Sequence, residues 1–410
     1  MGPTKVSLVC VKREKCDYTK GIVSPFCPAA AMDPFLSYTT RKLPQIIDSI
    51  SQLVKIESPS HDREAVNRAV EFVADTVAPV AKVKRYRQRE FGDHLRIEFS
   101  LPGRRKSGQV LGLGHLDTVY PLGILGRMPC KRSKGRLWGP GVFDMKSGVV
   151  YFLFACEALR ELDVEVSRRF VLRLVSDEEI GSPSSRSGTE REARKSAAVL
   201  VAEPSAGLEG DAKTARKGGG GYTVRVKGIS SHAGLDFASG ANAIVELSRQ
   251  LARIAEWTDL DKGITVNVGV IEGGTLPNVV AEHASAEIDV RIPRKSDGLR
   301  LEKKFAALKP FDRRTTLEVE GSIRRPPMVR NRGTNRLYLR ARKLSREMGV
   351  ELGQACVGGG SDGNFTAALG IPTLDGLGGI GEGAHSAHES ILVSRIADRT
   401  ALLAKLIAAS

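Results

Sequence analysis

Residues 170–179 read FVLRLVSDEE, an almost unbroken apolar run that ends in a serine and three acids. A short run of this kind, rich in Val and Leu, is what an interior strand of a parallel sheet looks like, because both of its faces are covered. The pattern recurs on either side, as VLGLGHLD at 110–117 and AVLVAE at 198–203. Each run stops at groups able to bind a metal or move a proton: His115 and Asp117, then Asp177, Glu178 and Glu179, then Glu203. In an open α/β sheet the ligand crevice lies outside the carboxyl ends of the strands, so these side chains are expected to converge. Asp144 follows a Gly-Pro-Gly turn (WGPGVFD, 138–144) that opens a helix, and it can reach the same place.

Outward from these strands, helical and strand-like segments alternate from about residue 36, which gives an α/β fold with a mixed, mostly parallel sheet flanked by helices. MDPFLSYTTRKLPQIIDSISQLVKI (32–56) repeats apolar residues at helical spacing, and the fold is expected to begin there. Residues 1–31 are polar and mildly basic, hold half of the cysteines and contain no signal-peptide core; they read as a disordered extension. EAVNRAVEFVADTV (64–77) is an amphipathic helix, and a helix from about 147 to 162 is apolar nearly all round, so it should be buried. From about 207 to 326 the signals run strand (YTVRVKG), helix (241–257), strand (ITVNVGVIEGG), strand (ASAEIDVRIP), helix (299–308), strand (TTLEVEG). That succession predicts an inserted ferredoxin-like α+β domain at 207–326 within a catalytic domain made of 32–206 and 327–410, the segment after Pro327 completing the first sheet.

Composition narrows the function classes. Hydrophobic residues at 41% and charged residues at 27% exclude a disordered chain, 43 glycines without a Gly-X-Y period exclude collagen, and no apolar run approaches a membrane span. The net charge of +15 suits acidic ligands, but a solvated basic surface explains it equally. Six cysteines (Cys10, Cys16, Cys27, Cys130, Cys156, Cys356) without a C-x-x-C pair make neither a disulfide framework nor a zinc knuckle, and a reducing, cytoplasmic setting is expected.

A single acid after a strand is usually a helix cap or a solvated loop residue. Several at neighbouring strand ends are different, because carboxylates held side by side raise one another's pKa unless a cation compensates. Imidazole with carboxylate suits zinc, with cobalt or manganese as substitutes, and a bridging carboxylate allows two ions. Of seven histidines, His61 and His94 read as surface or capping residues and His283 as structural. His115, His232 and His385 sit among glycines and small residues, where a ligand can approach, and His388 competes with His385.

GHLDTVYP, GPGVFDMKSG, SDEEIGS, AEPS, SSHAG, GGGSDGNF and GEGAHSAHE, in this order, resemble the M20 family of dinuclear zinc metallopeptidases and deacylases, above all its glutamate carboxypeptidase (carboxypeptidase G2-like) branch. The resemblance runs from about residue 40 to the end and implies two Zn2+ per subunit. His115 and Glu203 would hold one ion, Glu179 and His385 the other, and Asp144 would bridge them. Asp117 would orient His115, and Glu178 would be the general base and then acid of amide hydrolysis. His232 would stabilise the oxyanion from the partner subunit's insert, which implies a homodimer through the inserted domain. Arg325, with Arg324 as its neighbouring competitor, would bind the substrate's α-carboxylate, with Asn278 and Gly360 lining the pocket. Lys213, Arg216 and Lys217 are loosely placed cations for a second carboxylate. The implied substrates are small peptides or N-acyl amino acids, with glutamate the expected leaving residue and neither nucleic acid nor membrane as partner. A deacylase of the acetylornithine or succinyl-diaminopimelate type uses the same metals and base, and a catalytically silent binding homologue is the alternative of another class.

Overall fold

Helix Pro34–Arg41 starts where the Asp33 side chain accepts the backbone N–H groups of Phe35 and Leu36, and where proline has no N–H to lose. This computed structural model describes residues 32–410, so the expected extension over 1–31 lies outside the described residues. Helices Leu43–Lys55 and Arg63–Val77 follow, the second capped by Asp62 on the N–H of Ala65. Their apolar stripes, Ile46, Ile50 and Leu53 on one and Val66, Val70 and Val73 on the other, are fully buried.

Six strands form the central sheet, in the order Ala81–Tyr86, His94–Phe99, Arg169–Val175, Gln109–His115, Ser196–Val201, Thr373–Leu374. The last four run parallel, and the first two are an antiparallel hairpin on one side. Register decides what happens at the carboxyl edge. His115 lies opposite Val175 and Leu113 opposite Val201, so the chain leaves the sheet at Leu116, Ser176 and Ala202 along one rim.

Helix Ser147–Glu161 packs between this sheet and the helix Ile396–Ala409, and its all-round apolar surface is buried as its composition requires. Phe152 meets Phe170 with ring centroids 5.6 Å apart. Burying one such ring contributes roughly 1.5–3 kcal/mol. At Gly148 a Cβ would stand 1.9 Å from the carbonyl oxygen of Ala202, so only glycine lets the helix begin against the strand end.

The insert has a core of its own. Its four antiparallel strands lie in the order Thr265–Gly273, His283–Ile292, Gly218–Lys227, Thr316–Arg325, the ferredoxin-like arrangement. Helices Ala243–Ala255 and Lys295–Ala306 cover one face, where Val224, Val226, Leu247, Ile288, Leu301 and Phe305 form a separate apolar cluster. Tyr222 stacks on Phe305 at 3.7 Å.

Two small sheets were not foreseen. Strand Ala212–Arg216 pairs in parallel with Gln354–Val357, so the insert's own sheet begins at Gly218, and the segment after Pro327 gives the central sheet only the two-residue strand Thr373–Leu374. Strands Gly381–Glu382, Ser390–Leu392, Arg136–Trp138 and Lys131–Ser133 form a fourth sheet that ties the chain before Asp144 to the chain on either side of His385. Among the described residues no helix is long and apolar enough to cross a membrane.

Candidate active site

His115 ends its strand with both ring nitrogens engaged. Nδ1 lies 2.9 Å from the backbone oxygen of Asp117, and a proton donated there leaves the Nε2 lone pair facing the rim. Nε2 is 3.2 Å from Asp144 Oδ1 and 3.6 Å from Glu203 Oε1. Across the same rim, His385 Nε2 is 3.1 Å from Glu179 Oε2 and 3.5 Å from Asp144 Oδ2. Asp144 therefore turns one carboxylate oxygen to each imidazole. His385 adopts a left-handed φ of +60°. His388 is exposed and reaches only the Ser386 hydroxyl, at 3.1 Å.

Electrostatics pull these groups in opposed directions. Burial pushes the Glu178 carboxyl up to about 7, against the charges of Arg325 and His115. Burial and then the charge of Asp144 hold Glu203 well above the usual range, and burial lifts Glu179, partly offset by its hydrogen bond with His385. Burial would raise Asp144 too, but hydrogen bonds from His115 and His385 hold it far below. His115 stays well above an ordinary histidine despite its burial, through Asp117 and Asp144; hydrogen bonds with Asp144 and Glu179 push His385 up to about 10.

Acids driven toward protonation beside imidazoles driven toward imidazolium make a cluster that a divalent cation satisfies by displacing those protons. Two overlapping donor groups, His115 with Glu178 and Glu203, and His115 with Asp144 and Glu179, each gather within 4.8 Å. Tetrahedral bonds of the usual length to zinc place neighbouring donor atoms about 3.3 Å apart. The four imidazole–carboxylate separations, 3.1 to 3.6 Å, fit that spacing.

The Asp117 carboxylate is 3.5 Å from His115 Nδ1, farther than its own carbonyl, and its oxygens chiefly accept the N–H groups of Glu178 and Glu179 and the hydroxyl of Ser60. It thus holds the loop of acids as much as it orients the imidazole. Glu178 Oε1 is 3.0 Å from Arg325, whose guanidinium also approaches Asp362 and Ser182.

The sequence matches the family described as Peptidase family M20/M25/M40 over residues 112–409. This chain belongs to that family. It is 29% identical to carboxypeptidase G2 of Pseudomonas sp. (strain RS-16) over 381 residues, which cover 90% of both chains. It is 28% identical to the succinyl-diaminopimelate desuccinylase of Dechloromonas aromatica (strain RCB), covering 72% of this chain and 81% of that one. In structure it is similar to aminopeptidase PepT from Bacillus cereus, with a TM-score of 0.75, 20% identity, and 89% and 98% of the two chains covered. The M20 membership makes it a metallopeptidase-type hydrolase with an α/β fold carrying an insert.

Other residues singled out for this M20 chain fall in three places. Arg325 is largely buried and Gly360 packs against it, a Cβ there standing 2.5 Å from the arginine's Cδ, whereas Arg324 is exposed. His232 and Asn278 lie on the insert, exposed, and join each other's loops through the N–H of Ala233 on the Asn278 carbonyl. No hydrogen bond or ion pair among the described residues links either to the acid cluster. Two surface grooves of about 570 and 530 Å3 also lie on the insert and include none of these residues.

Several readings need correction. Arg216 is not a free pocket cation: it is 4% exposed, its guanidinium is 2.7 Å from Asp375 and 3.4 Å from Glu203, and it donates to the carbonyls of Gly359 and Gly360. Lys217 approaches the Gly263 turn instead. Lys213 remains buried beside Glu203 and Asp144, with none of the ion pairs among the described residues engaging it. His94 is 1% exposed rather than on the surface, with Nε2 3.0 Å from the Ser184 hydroxyl. His283 is exposed at the start of its strand, where it pairs with Lys227 and its ring lies 3.7 Å from Glu282.

Three site residues escaped the sequence reading. Asp375 follows the fourth parallel strand as Glu203 follows the third, but that strand is only Thr373–Leu374, too short to stand out as an apolar run. Asp362, within the GGGSDG loop, accepts the Ser182 hydroxyl at 2.5 Å and leaves its other oxygen buried without a partner. Glu389 closes the GAHSAHE motif and is buried behind Asp144.

Proposed function

We propose that this M20 hydrolase is a dinuclear metal carboxypeptidase, working as a homodimer, that releases a C-terminal acidic amino acid, glutamate first, from small peptides or N-acyl amino acids. The observation that carries the reading is the Asp144 carboxylate shared between His115 and His385. His115, Glu203 and Asp144 would hold one ion, and Glu179, His385 and Asp144 the other, zinc best suiting these donors and Co2+ or Mn2+ able to replace it. When bound, the pair supplies Lewis-acid polarisation of the scissile carbonyl and acidifies water.

The chain's own groups do the rest. Glu178 takes a proton from the attacking water as its oxygen bonds to the carbonyl carbon. It returns that proton to the nitrogen as the C–N bond breaks, so acid and amine leave in balance. Arg325, beside Glu178 and packed on Gly360, offers a planar fork to the α-carboxylate next to the bond being cut, and Asn278, whose loop is tied to that of His232, would reach this carboxylate together with His232 from the partner subunit. Lys213, buried and in no ion pair among the described residues, suits the second carboxylate of an acidic residue. His232 serves the oxyanion from the partner subunit, which accords with its exposed position here.

The test is a substrate comparison on zinc-loaded protein, N-benzoylglutamate and folylglutamate against N-acetylornithine. Turnover of the glutamyl compounds is expected, and its absence would overturn the glutamate reading. Cleavage of N-acetylornithine alone would favour the deacylase reading, for which Asp362 speaks, since an acid with a free buried oxygen beside Arg325 suits a substrate bearing a side-chain amine.

A further inference from the structure

Glu389 lies four residues beyond His385, is 1% exposed, and turns both carboxylate oxygens onto the turn that carries Asp144. Oε2 accepts the N–H of Gly141 at 2.8 Å, and Oε1 accepts those of Phe143 at 2.8 Å and Asp144 at 2.9 Å. Successive N–H groups aimed at one anion form a nest. Gly141 makes it possible: its φ is +71°, and a Cβ there would stand 2.6 Å from the Thr118 methyl.

The main chain repeats the tie. Ser390 pairs with Trp138 in the small sheet, and the N–H of Gly139 donates to the Glu389 carbonyl at 3.3 Å. Tyr120 donates its hydroxyl proton to the carbonyl of Ser386, the residue after His385, at 3.0 Å. The segment bearing His385 and the turn bearing Asp144 are thus joined through one buried carboxylate.

We propose that Glu389 is a positioning residue that sets the separation of Asp144 and His385, and with it the affinity of the ion those two would share. The proposal rests on the dinuclear reading above and adds to it the group that fixes its geometry. Partners behind metal ligands typically change metal affinity by about 10–100-fold when removed.

Glu389→Gln is the sharp variant, because its amide oxygen can still accept two of the three N–H groups while its NH2 faces a third donor. Metal-free wild type and variant are titrated with Co2+ by calorimetry, with the visible absorption of the bound ion as a second readout. The wild type should take up two Co2+ per chain. The variant should keep its unfolding midpoint within a few degrees, bind one of the two roughly 10–100-fold more weakly and show an altered absorption band. Equal affinity and an unchanged spectrum in the folded variant would overturn the positioning role alone, whereas a wild type that takes up no Co2+ would overturn the dinuclear reading with it. Should the variant not fold, hydrogen exchange on metal-free wild type decides: the amides of residues 141, 143 and 144 should be strongly protected, and free exchange there would sink the inference.

Discussion

At the carboxyl edge of the parallel strands, His115, Asp117 and Glu203 are 1%, 0% and 6% exposed, and each touches another member of the cluster. On the insert, His232 and Asn278 stand in solvent, with Leu235 84% and Phe237 65% exposed beside them. The difference lies in how the two regions place a side chain. Register in a parallel sheet brings residues far apart in sequence to one rim and buries them, as His115 and Glu203 come within 3.6 Å, while the half-exposed His385 reaches the same rim from the chain between two strands of the small antiparallel sheet. The insert builds its core on one sheet face and displays its loops outward. His232 Nδ1 accepts the N–H groups of Gly234 and Leu235, both at 3.1 Å, which leaves Nε2 free to act on something outside its own loop.

The largest expected effect lies at the rim. Glu178→Gln should lower kcat by roughly 10²–10⁴-fold while metal content, read by elemental analysis, stays at the wild-type level. Retained turnover would remove Glu178 from the proton work and leave the rim as a binding site only. Next comes the insert: His232→Ala should cost about 10²–10³-fold in kcat. If that histidine serves a partner's rim, mixing unfolded and refolded His232→Ala with Glu178→Gln should restore roughly a quarter of wild-type activity, since half of the dimers are mixed and each has one intact site. Two dead variants that stay dead together would confine His232 to its own chain.

Arg325 stands between the regions, at the end of an insert strand and 3.0 Å from Glu178. Arg325→Lys keeps the charge and loses the fork, so KM for a carboxylate substrate should rise about 10–100-fold with less change for the matching carboxamide; an equal loss on both would make it a partner of Glu178 only. The smallest effect is on stability. Burial lowers the His94 pKa to about 4 against 6.5 for a free imidazole. Between those values the unfolded chain binds a proton that the folded chain does not, so folding stability falls as pH falls through this window, by about 1 kcal/mol between pH 7 and 5.5. His94→Asn should flatten that part of the denaturation profile, and an unchanged slope would place the titration elsewhere.

The rim was legible in the sequence because buried parallel strands announce themselves as apolar runs, so that whatever follows them is known to share an edge. His115, Glu178, Glu179 and Glu203 needed no more than that. Asp375 escaped because its strand is two residues long, too short to show a period. The sheet joining 131–138 to 381–392 escaped for the same reason. Arg216 was misread because a charge in sequence carries no mark of burial; only the pairing of Ala212–Arg216 with Gln354–Val357 turns it inward onto Asp375. Glu389 acts on backbone N–H groups, which every residue but proline has, so no pattern of side chains pointed to its target.

The strands that lead into and out of the insert are neighbours, Gly219 lying opposite Arg325, and Gly218 sits so close to the returning chain that a Cβ would stand 2.6 Å from the Arg325 carbonyl oxygen. The two ends of the insert therefore meet in one seam. The Arg325 guanidinium stands at that seam, 3.0 Å from Glu178, so the group proposed to grip a substrate's tail is set by the same stretch of backbone that anchors the insert.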